Sequence, residues 1–182
     1  MSGGWVARLP FPLIRSIAEA YHVDHRLVAA ICQVESSGNP KAIRREPHWQ
    51  YWHKPEEWAR KFVDPKAAGL VATRPKEEQL AWAAAQLEAE KERQRHSYGL
   101  MQVMGAVCRE LGYAHATMDL LFEPAIGIAY GCKVLQKLSK YTSVADKAAA
   151  YNAGLPRKDP NTGEYRNQKY VGKVLALLAD FK

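Results

Sequence analysis

The stretch that most constrains the fold is residues 23–40, which predicts one amphipathic helix with a sharp end. Asp24 can cap its N-terminus, and the segment S-S-G-N-P that begins at Ser36 breaks the helix. Apolar residues recur every three or four positions between these signals, as expected of one buried helix face. They are Leu27, Val28, Ile31, Cys32 and Val34. We therefore expect a helical core to form around this segment.

Glu35 lies in the last turn of this predicted helix, where an apolar core meets a break in the chain. Such an environment disfavours the ionised carboxylate, and a glutamate that keeps its proton near neutral pH can act as a general acid. The alternative is an ordinary solvated side chain, because glutamates are mostly exposed. The position of Glu35 alone leaves both roles open.

Length and composition favour one domain with a helical body. The chain has 182 residues, 47% of them apolar, which is enough for one buried core. We expect a single domain over residues 1–182 with an insertion at residues 44–96.

The net charge is +7, and from Lys133 to the end ten basic residues stand against four acidic ones. A basic surface favours any polyanion, but a solvated face without a partner is equally compatible with it.

The insertion has its own composition, because it contains four of the five tryptophans and four prolines. A long helix is predicted from Pro75, with strong helix formers and a narrow apolar stripe. The stripe consists of Leu80, Ala84 and Leu87. This pattern predicts a surface helix and not a core element. The aromatic residues predict a cluster that holds the insertion in place, although Trp49 or Trp52 could instead line a groove and cover a sugar or a base.

The remaining patterns predict further helices and no convincing alternating strands, apart from a short hairpin that the insertion could hold. Proline, glycine and serine signals mark the helix ends. They are Pro12, Gly112, Pro124, Ser143 and Gly154. The helical pattern after Pro124 should bury Ile128, Cys132, Leu135 and Leu138, and a last helix from Gln168 should bury Val171, Val174, Leu175 and Leu178. Three cysteines, Cys32, Cys108 and Cys132, lie in apolar helical patterns and predict buried thiols without disulfides.

Four motifs follow one another along the chain. E-S-S-G-N-P begins at Glu35, Y-G-L-M-Q-V-M at Tyr98, A-Y-N-A-G at Ala150 and Y-V-x-x-V at Tyr170. In this order they resemble the soluble-type lytic transglycosylases of the lysozyme-like superfamily. The resemblance implies a mainly α, lysozyme-like (α+β superfamily) fold with the insertion next to the active-site groove. The insertion opens with R-R-E-P-H-W, which resembles phage and prophage members and implies an endolysin or a phage enzyme that penetrates the wall.

The resemblance also implies roles for individual residues. The glutamate of the E-S motif is the single catalytic acid and base in that family, which implies this role for Glu35. The other motifs line the sugar groove or face the catalytic centre. The corresponding residues here are Tyr98, Gly99, Leu100, Met101, Gln102, Tyr151, Asn152 and Tyr170. Three positions depart from the family pattern, with Gly105 for proline, Gly127 for asparagine and Val134 for tyrosine.

The implied reaction cleaves the MurNAc-β-1,4-GlcNAc bond of peptidoglycan and leaves 1,6-anhydro-MurNAc ends. A hydrolysing muramidase with Glu46 as a second carboxylate remains open, as does a salt bridge from Glu46 to Arg44 or Arg45. A binding module without catalysis is the third alternative.

We expect peptidoglycan glycan strands as the partner, no cofactor, no metal, no nucleic acid, no membrane span and a monomer. The site of action is the cell wall, in the periplasm or outside the cell. The N-terminal sequence has no apolar run long enough for a signal peptide. This predicts another export route or a removed leader.

Overall fold

The computed structural model describes residues 9–181, which are mainly helical. Residues 1–8, on which the expectation about a signal peptide partly rests, and the basic Lys182 lie outside the described part. The helices within it are α1 Phe11–Ala20, α2 His25–Ser36, α3 Pro55–Lys61, α4 Pro65–Ala72, α5 Lys76–Gln94, α6 Gly105–Glu110, α7 Pro124–Lys137, α8 Val144–Ala153 and α9 Gln168–Leu177. Short 3-10 helices span Asp119–Phe122 and Leu178–Asp180. No helix of residues 9–181 is long and apolar enough to cross a membrane.

A small sheet corrects the expectation of a body without strands. Its strands are β1 Ile43–Arg45, β2 His96–Tyr98 and β3 Val103–Met104, in the order β1-β2-β3. They lie at the two ends of residues 44–96 and just beyond, whereas the hairpin was expected inside the insertion. Strands of two or three residues are too short to show an alternating pattern, so no sequence signal marks them.

The described chain forms two compact units. The first comprises residues 9–42, Tyr98–Val103 and residues 119–181. The second comprises Ile43–Ser97 and Met104–Met118. Residues 44–96 therefore lie wholly within the second unit, which also takes in the segment that carries α6.

Helix α2 is the central element of the first unit, since it contacts α1, α7, α8 and α9. As predicted, the Asp24 side chain caps it and accepts a hydrogen bond from the Arg26 amide at 2.9 Å. Burial extends around the whole middle of the helix, as expected where neighbours lie on several sides. The buried residues are Leu27, Val28, Ala29, Ala30, Ile31 and Cys32. Val34 is only partly buried, so the predicted stripe weakens before Glu35.

The other predicted helices of the first unit are present. Ser143 Oγ accepts a hydrogen bond from the Asp146 amide at 2.9 Å and caps α8, as the capping box predicted. α7 buries Ile128, Cys132, Leu135 and Leu138, and the three cysteines of the chain are buried and unbridged. In α9, Val171 and Val174 are buried, but Leu175 is 39% exposed. The prediction was therefore wrong for Leu175, and Leu178, just beyond α9, is only partly buried.

The turn of residues 99–102 is packed so closely that glycines are required around it. Gly99 has φ +71°, and a Cβ atom on it would lie 2.3 Å from the Leu121 carbonyl oxygen. A Cβ on Gly127 would lie 2.7 Å from the same oxygen, and one on Gly131 would overlap the Met101 side chain. The departure at Gly127 therefore has a physical reason, because an asparagine side chain has no room there.

In the second unit, α5 contacts α3, α4 and α6 and ends in a buried polar network. Glu90 and Gln94 are fully buried, while Leu80 of the predicted apolar stripe is 62% exposed. The prediction of a surface helix therefore fails at its C-terminal end. An apolar stripe does not reveal this end of the helix, because the face that α5 buries there is charged and polar.

Arg109 of α6 compensates the buried charge of Glu90. Its Nε and Nη2 atoms donate to the two carboxylate oxygens at 2.8 and 3.0 Å, and Nη1 donates to the carbonyls of Tyr113 and His115. Burial alone would raise the pKa of Glu90, but hydrogen bonds from Arg109, Gln94 and Arg93 outweigh it and hold that pKa below its usual value. Glu90 is therefore ionised and paired inside the second unit.

The aromatic residues of the insertion partly form the predicted cluster. The Arg109 guanidinium lies 4.7 Å from the centre of the Trp58 ring and 5.1 Å from that of Phe62. The end of α5 also explains Gly105, where the family has proline. A Cβ atom there would lie 2.3 Å from the Arg93 carbonyl oxygen. The Glu90–Arg109 pair thus holds α5, α6 and the aromatic cluster together.

We expect Arg109→Met to lower the free energy of unfolding of the second unit by about 3–5 kcal/mol, because it leaves the Glu90 carboxylate buried and unpaired. Urea unfolding followed by tryptophan fluorescence checks this, since four of the five tryptophans lie in residues 44–96. Arg74→Met is the matched control. Arg74 pairs with Glu78 on the surface, so the urea midpoint should hardly change. Equal midpoints for both variants would contradict the structural role of Arg109.

We expect Gly99→Ala to lower the free energy of unfolding by roughly 3 kcal/mol or more, because it combines backbone strain with a clash against the Leu121 carbonyl. Gly163→Ala is the control, since Gly163 has φ +70° and open space around it. It should cost only the strain of the left-handed backbone, about 1–2 kcal/mol. Urea unfolding followed by circular dichroism measures both. If Gly99→Ala lowers the free energy of unfolding no more than Gly163→Ala does, close packing against the Leu121 carbonyl does not contribute to the cost.

Candidate active site

Glu35 lies in the last turn of α2 and is partly buried. Ser36 ends the helix, and its Oγ donates to the Cys32 carbonyl at 2.9 Å. Ser37 and Gly38 then adopt left-handed backbone conformations, with φ of 52° and 77°, and turn the chain away from the helix axis. The predicted position of Glu35 at a sharp helix end is confirmed.

The A-Y-N-A-G motif is joined to the G-L-M-Q turn by one hydrogen bond. The Tyr151 hydroxyl, in the last turn of α8, donates to the Met101 carbonyl at 2.8 Å. The turn is closed by Gln102, whose Nε2 donates to the carbonyls of Ala42 and Gly99 at 3.0 and 2.9 Å. The segment that follows α2, the turn and α8 are thereby fixed to one another within the first unit.

The charge of Glu35 influences the protonation of Tyr151 and Cys32. The pKa of Tyr151 is raised well above its usual value, first by burial, then by the negative charge of Glu35, and then by Tyr170. Burial also raises the pKa of Cys32, with smaller contributions from Cys132 and Glu35. The phenol and the thiol next to Glu35 therefore stay neutral over the whole physiological pH range. Three of the four motifs contribute to this cluster through Glu35, Tyr151 and Tyr170.

Several residues that the resemblance assigned to the sugar groove are part of the core. The side chains of Tyr98, Leu100 and Met101 are 5%, 1% and 0% exposed, and the Tyr98 ring meets the edge of Phe122. Gln102 is 8% exposed and uses both hydrogens of its side-chain amide inside the turn. These contacts fix the shape of the turn, and a direct contact of these side chains with substrate stays a prediction.

Asn152 is exposed, and its Oδ1 accepts a hydrogen bond from Asn167 Nδ2 at 2.9 Å. Asn167 also donates to the Ala149 carbonyl at 3.0 Å. Asn167 is not among the residues predicted for the site, because an asparagine directly before a helix indicates a cap and nothing more. Spacing could not reveal it, since its partners belong to the preceding helix.

Glu46, Trp49 and Trp52 belong to the second unit. The Glu46 carboxylate accepts a hydrogen bond from Arg44 Nε, which is one of the two salt bridges expected for it, while Arg45 pairs with Glu92. Trp49 packs edge-on against Tyr51, and the Arg95 guanidinium lies over the Trp52 ring. A role for Glu46 as a second carboxylate and for Trp49 or Trp52 as a groove wall stays a prediction. Within residues 9–181, no group of three or more histidine, cysteine or acidic residues could hold a metal ion.

Comparison with known protein families gives one match. The family model of the transglycosylase SLT domain matches residues 12–171, which include the first three motifs, the start of the fourth and residues 44–96. No curated protein and no solved structure matches the chain. The match supports a function like that of the peptidoglycan lytic transglycosylases at the level of the family. Because it covers most of the chain, the protein belongs to the transglycosylase SLT domain family of the lysozyme-like superfamily.

Proposed function

We propose that this protein is a peptidoglycan lytic transglycosylase that uses Glu35 as its single general acid and base. The observation that carries the proposal is the position of Glu35 at the end of α2, beside Tyr151, whose hydroxyl is anchored on the turn of residues 99–102. Family membership supplies the substrate class, and the charge of Glu35 contributes to the raised pKa values of Tyr151 and Cys32.

The first chemical step is bond cleavage with proton transfer. The oxygen that links MurNAc to GlcNAc leaves poorly as an alkoxide, so it must be protonated as its bond to the anomeric carbon breaks. The Glu35 carboxyl group gives its proton to this oxygen and becomes a carboxylate. Positive charge develops at the anomeric carbon, and the 2-acetamido oxygen of MurNAc shields it.

The second step closes the sugar on itself. The Glu35 carboxylate takes the proton of the MurNAc 6-hydroxyl, and that oxygen bonds to the anomeric carbon to give a 1,6-anhydro ring. Glu35 regains its proton, so no water is consumed and the enzyme returns to its starting state. Attack from within the same sugar has the advantage of proximity over attack by a free water.

Tyr151 acts in this proposal as a fixed hydrogen-bond acceptor. Its hydroxyl carries one hydrogen, which is committed to the Met101 carbonyl. The oxygen can therefore only accept from the substrate, for example from the N–H of the acetamido group or from a sugar hydroxyl. The raised pKa keeps the phenol neutral, so Tyr151 adds no negative charge that would compete with Glu35.

Glu35→Gln should lower the rate of clearing of a peptidoglycan suspension by at least about 100-fold, because an amide can neither give nor take the proton. Glu46→Gln is the matched control and should retain the activity of the unmodified protein. Turbidity measurements compare the clearing rates of the two variants with that of the unmodified protein, and circular dichroism verifies that both variants are folded. Equal clearing by Glu35→Gln and the unmodified protein would remove Glu35 from the mechanism, and loss with Glu46→Gln would favour the two-carboxylate muramidase.

The products should carry 1,6-anhydro-MurNAc ends, which are lighter by one water than the reducing ends left by hydrolysis. Mass spectrometry of digested peptidoglycan measures this difference, before and after borohydride reduction. Anhydro ends resist reduction because they have no free anomeric carbon. Reducing MurNAc ends throughout the digest would exclude the transglycosylase route while leaving glycan cleavage intact.

A further inference from the structure

Asn167 occupies the position directly before α9 but does not cap that helix. An asparagine there usually accepts a hydrogen bond from an amide of its own first turn. Here the side chain makes no such bond. It reaches back to α8 instead, where Nδ2 donates to the Ala149 carbonyl at 3.0 Å and to Asn152 Oδ1 at 2.9 Å.

The bonding pattern by itself fixes how both side-chain amides are oriented. A backbone carbonyl can only accept, so the Asn167 atom that faces Ala149 must be the amide nitrogen. The same nitrogen contacts Asn152, and its two hydrogens account for the two contacts. The Asn152 atom on that side must therefore be the oxygen. The NH₂ group of Asn152 consequently points away from Asn167.

We infer that Asn167 is a positioning residue that fixes the Asn152 side chain so that its NH₂ group is presented to the glycan as a hydrogen-bond donor. The inference rests on the proposed function. Asn152 is exposed and follows Tyr151 directly in the chain, so without a partner its amide would rotate between two orientations that offer opposite groups to a ligand. Fixing one orientation removes that ordering cost from substrate binding.

The segment that carries Asn167 is itself anchored along α8. The Tyr165 hydroxyl donates to Asp146 Oδ1 at 2.8 Å, near the start of that helix. Hydrogen bonds from Ser143 and from Tyr165 hold the pKa of Asp146 below its usual value, so this anchor is a stable carboxylate. The amides of Tyr170 and Val171 donate to the Asn167 carbonyl. Asn167 is therefore held on both sides and can act as a rigid support.

The neutral tyrosine and the fixed asparagine then present complementary groups. Tyr151 offers an acceptor oxygen, and Asn152 offers donor hydrogens one residue further along α8. An amino sugar carries both kinds of partner, since its hydroxyl and carbonyl oxygens accept and its N–H and O–H groups donate. A glycan that lacks an acceptor oxygen at this position would lose the contribution of Asn167 as well as that of Asn152.

The test is a double-mutant cycle on soluble, peptide-free glycan strands with KM and kcat measured separately. Asn152→Ala should raise KM by about 3–10-fold, the effect of one lost hydrogen bond, and Asn167→Ala should raise it by a similar or smaller factor. kcat should change little, because Glu35 is untouched. The double variant should have the KM of Asn152→Ala alone, because Asn167 acts through Asn152.

Measurements of thermal stability distinguish a positioning role of Asn167 from a merely structural one. Asn167→Ala loses the bond to Ala149 in either background and the bond to Asn152 only where Asn152 is present, so it should lower Tm in both backgrounds and by more when Asn152 is present. Asn161→Ala, an exposed asparagine of the preceding loop, is the control and should leave KM unchanged. Asn167→Asp keeps the shape but places an acceptor against Asn152 Oδ1, which turns the amide, so KM should rise here too even if Asn167→Ala fails to fold.

Two results would overturn the inference. One is a double variant whose fold-increase in KM equals the product of the fold-increases of the two single variants. The other is an unchanged KM for folded Asn167→Ala or Asn167→Asp in a protein whose unmodified form is active. Failure of the unmodified protein to cleave peptidoglycan would instead overturn the proposed function, which the same assay reports before any variant is compared.

Discussion

The first unit depends on the hydrogen bond from the Tyr151 hydroxyl to the Met101 carbonyl. This single contact joins α8 to a turn that lies about 50 residues earlier in the chain. It requires the Met101 carbonyl to face α8, and Gly99, Gly127 and Gly131 make that possible by letting the turn approach α7 and the Leu121 carbonyl closely. A Cβ at any of the three would displace the turn and with it the support of Tyr151. The position of Tyr151 therefore depends on three glycines that keep the turn of residues 99–102 in place.

The sequence predicted features that depend on neighbours along the chain. The Asp24 cap, the break after Ser36 and the Ser143 capping box all involve residues within a few positions of one another, so their signals are local. The placement of Glu35 follows from two of these signals. The link from Glu35 to Tyr151 did not follow from periodicity or spacing and came only through the resemblance of the motifs.

The features that the sequence did not predict depend on partners far away in the chain. Glu90 looks like one of many surface glutamates of α5 until Arg109, on another helix, supplies its charge partner. The strands are too short for a pattern, and the role of Asn167 is hidden because its residue type already has a common local explanation. In each case the sequence carries the residue, but the partner is selected by the fold.

Glu90 and Glu35 show why position along a helix does not by itself make a carboxyl group catalytic. Both lie near the C-terminal ends of helices and are withdrawn from solvent, Glu90 completely and Glu35 in part. Arg109 and other donors hold the pKa of Glu90 low, so its proton is not available near neutral pH. Glu35 lies beside a phenol and a thiol whose raised pKa values keep them neutral. A carboxylate locked to a guanidinium cannot exchange its proton with a bound glycan, which excludes Glu90 from the chemistry that we propose for Glu35.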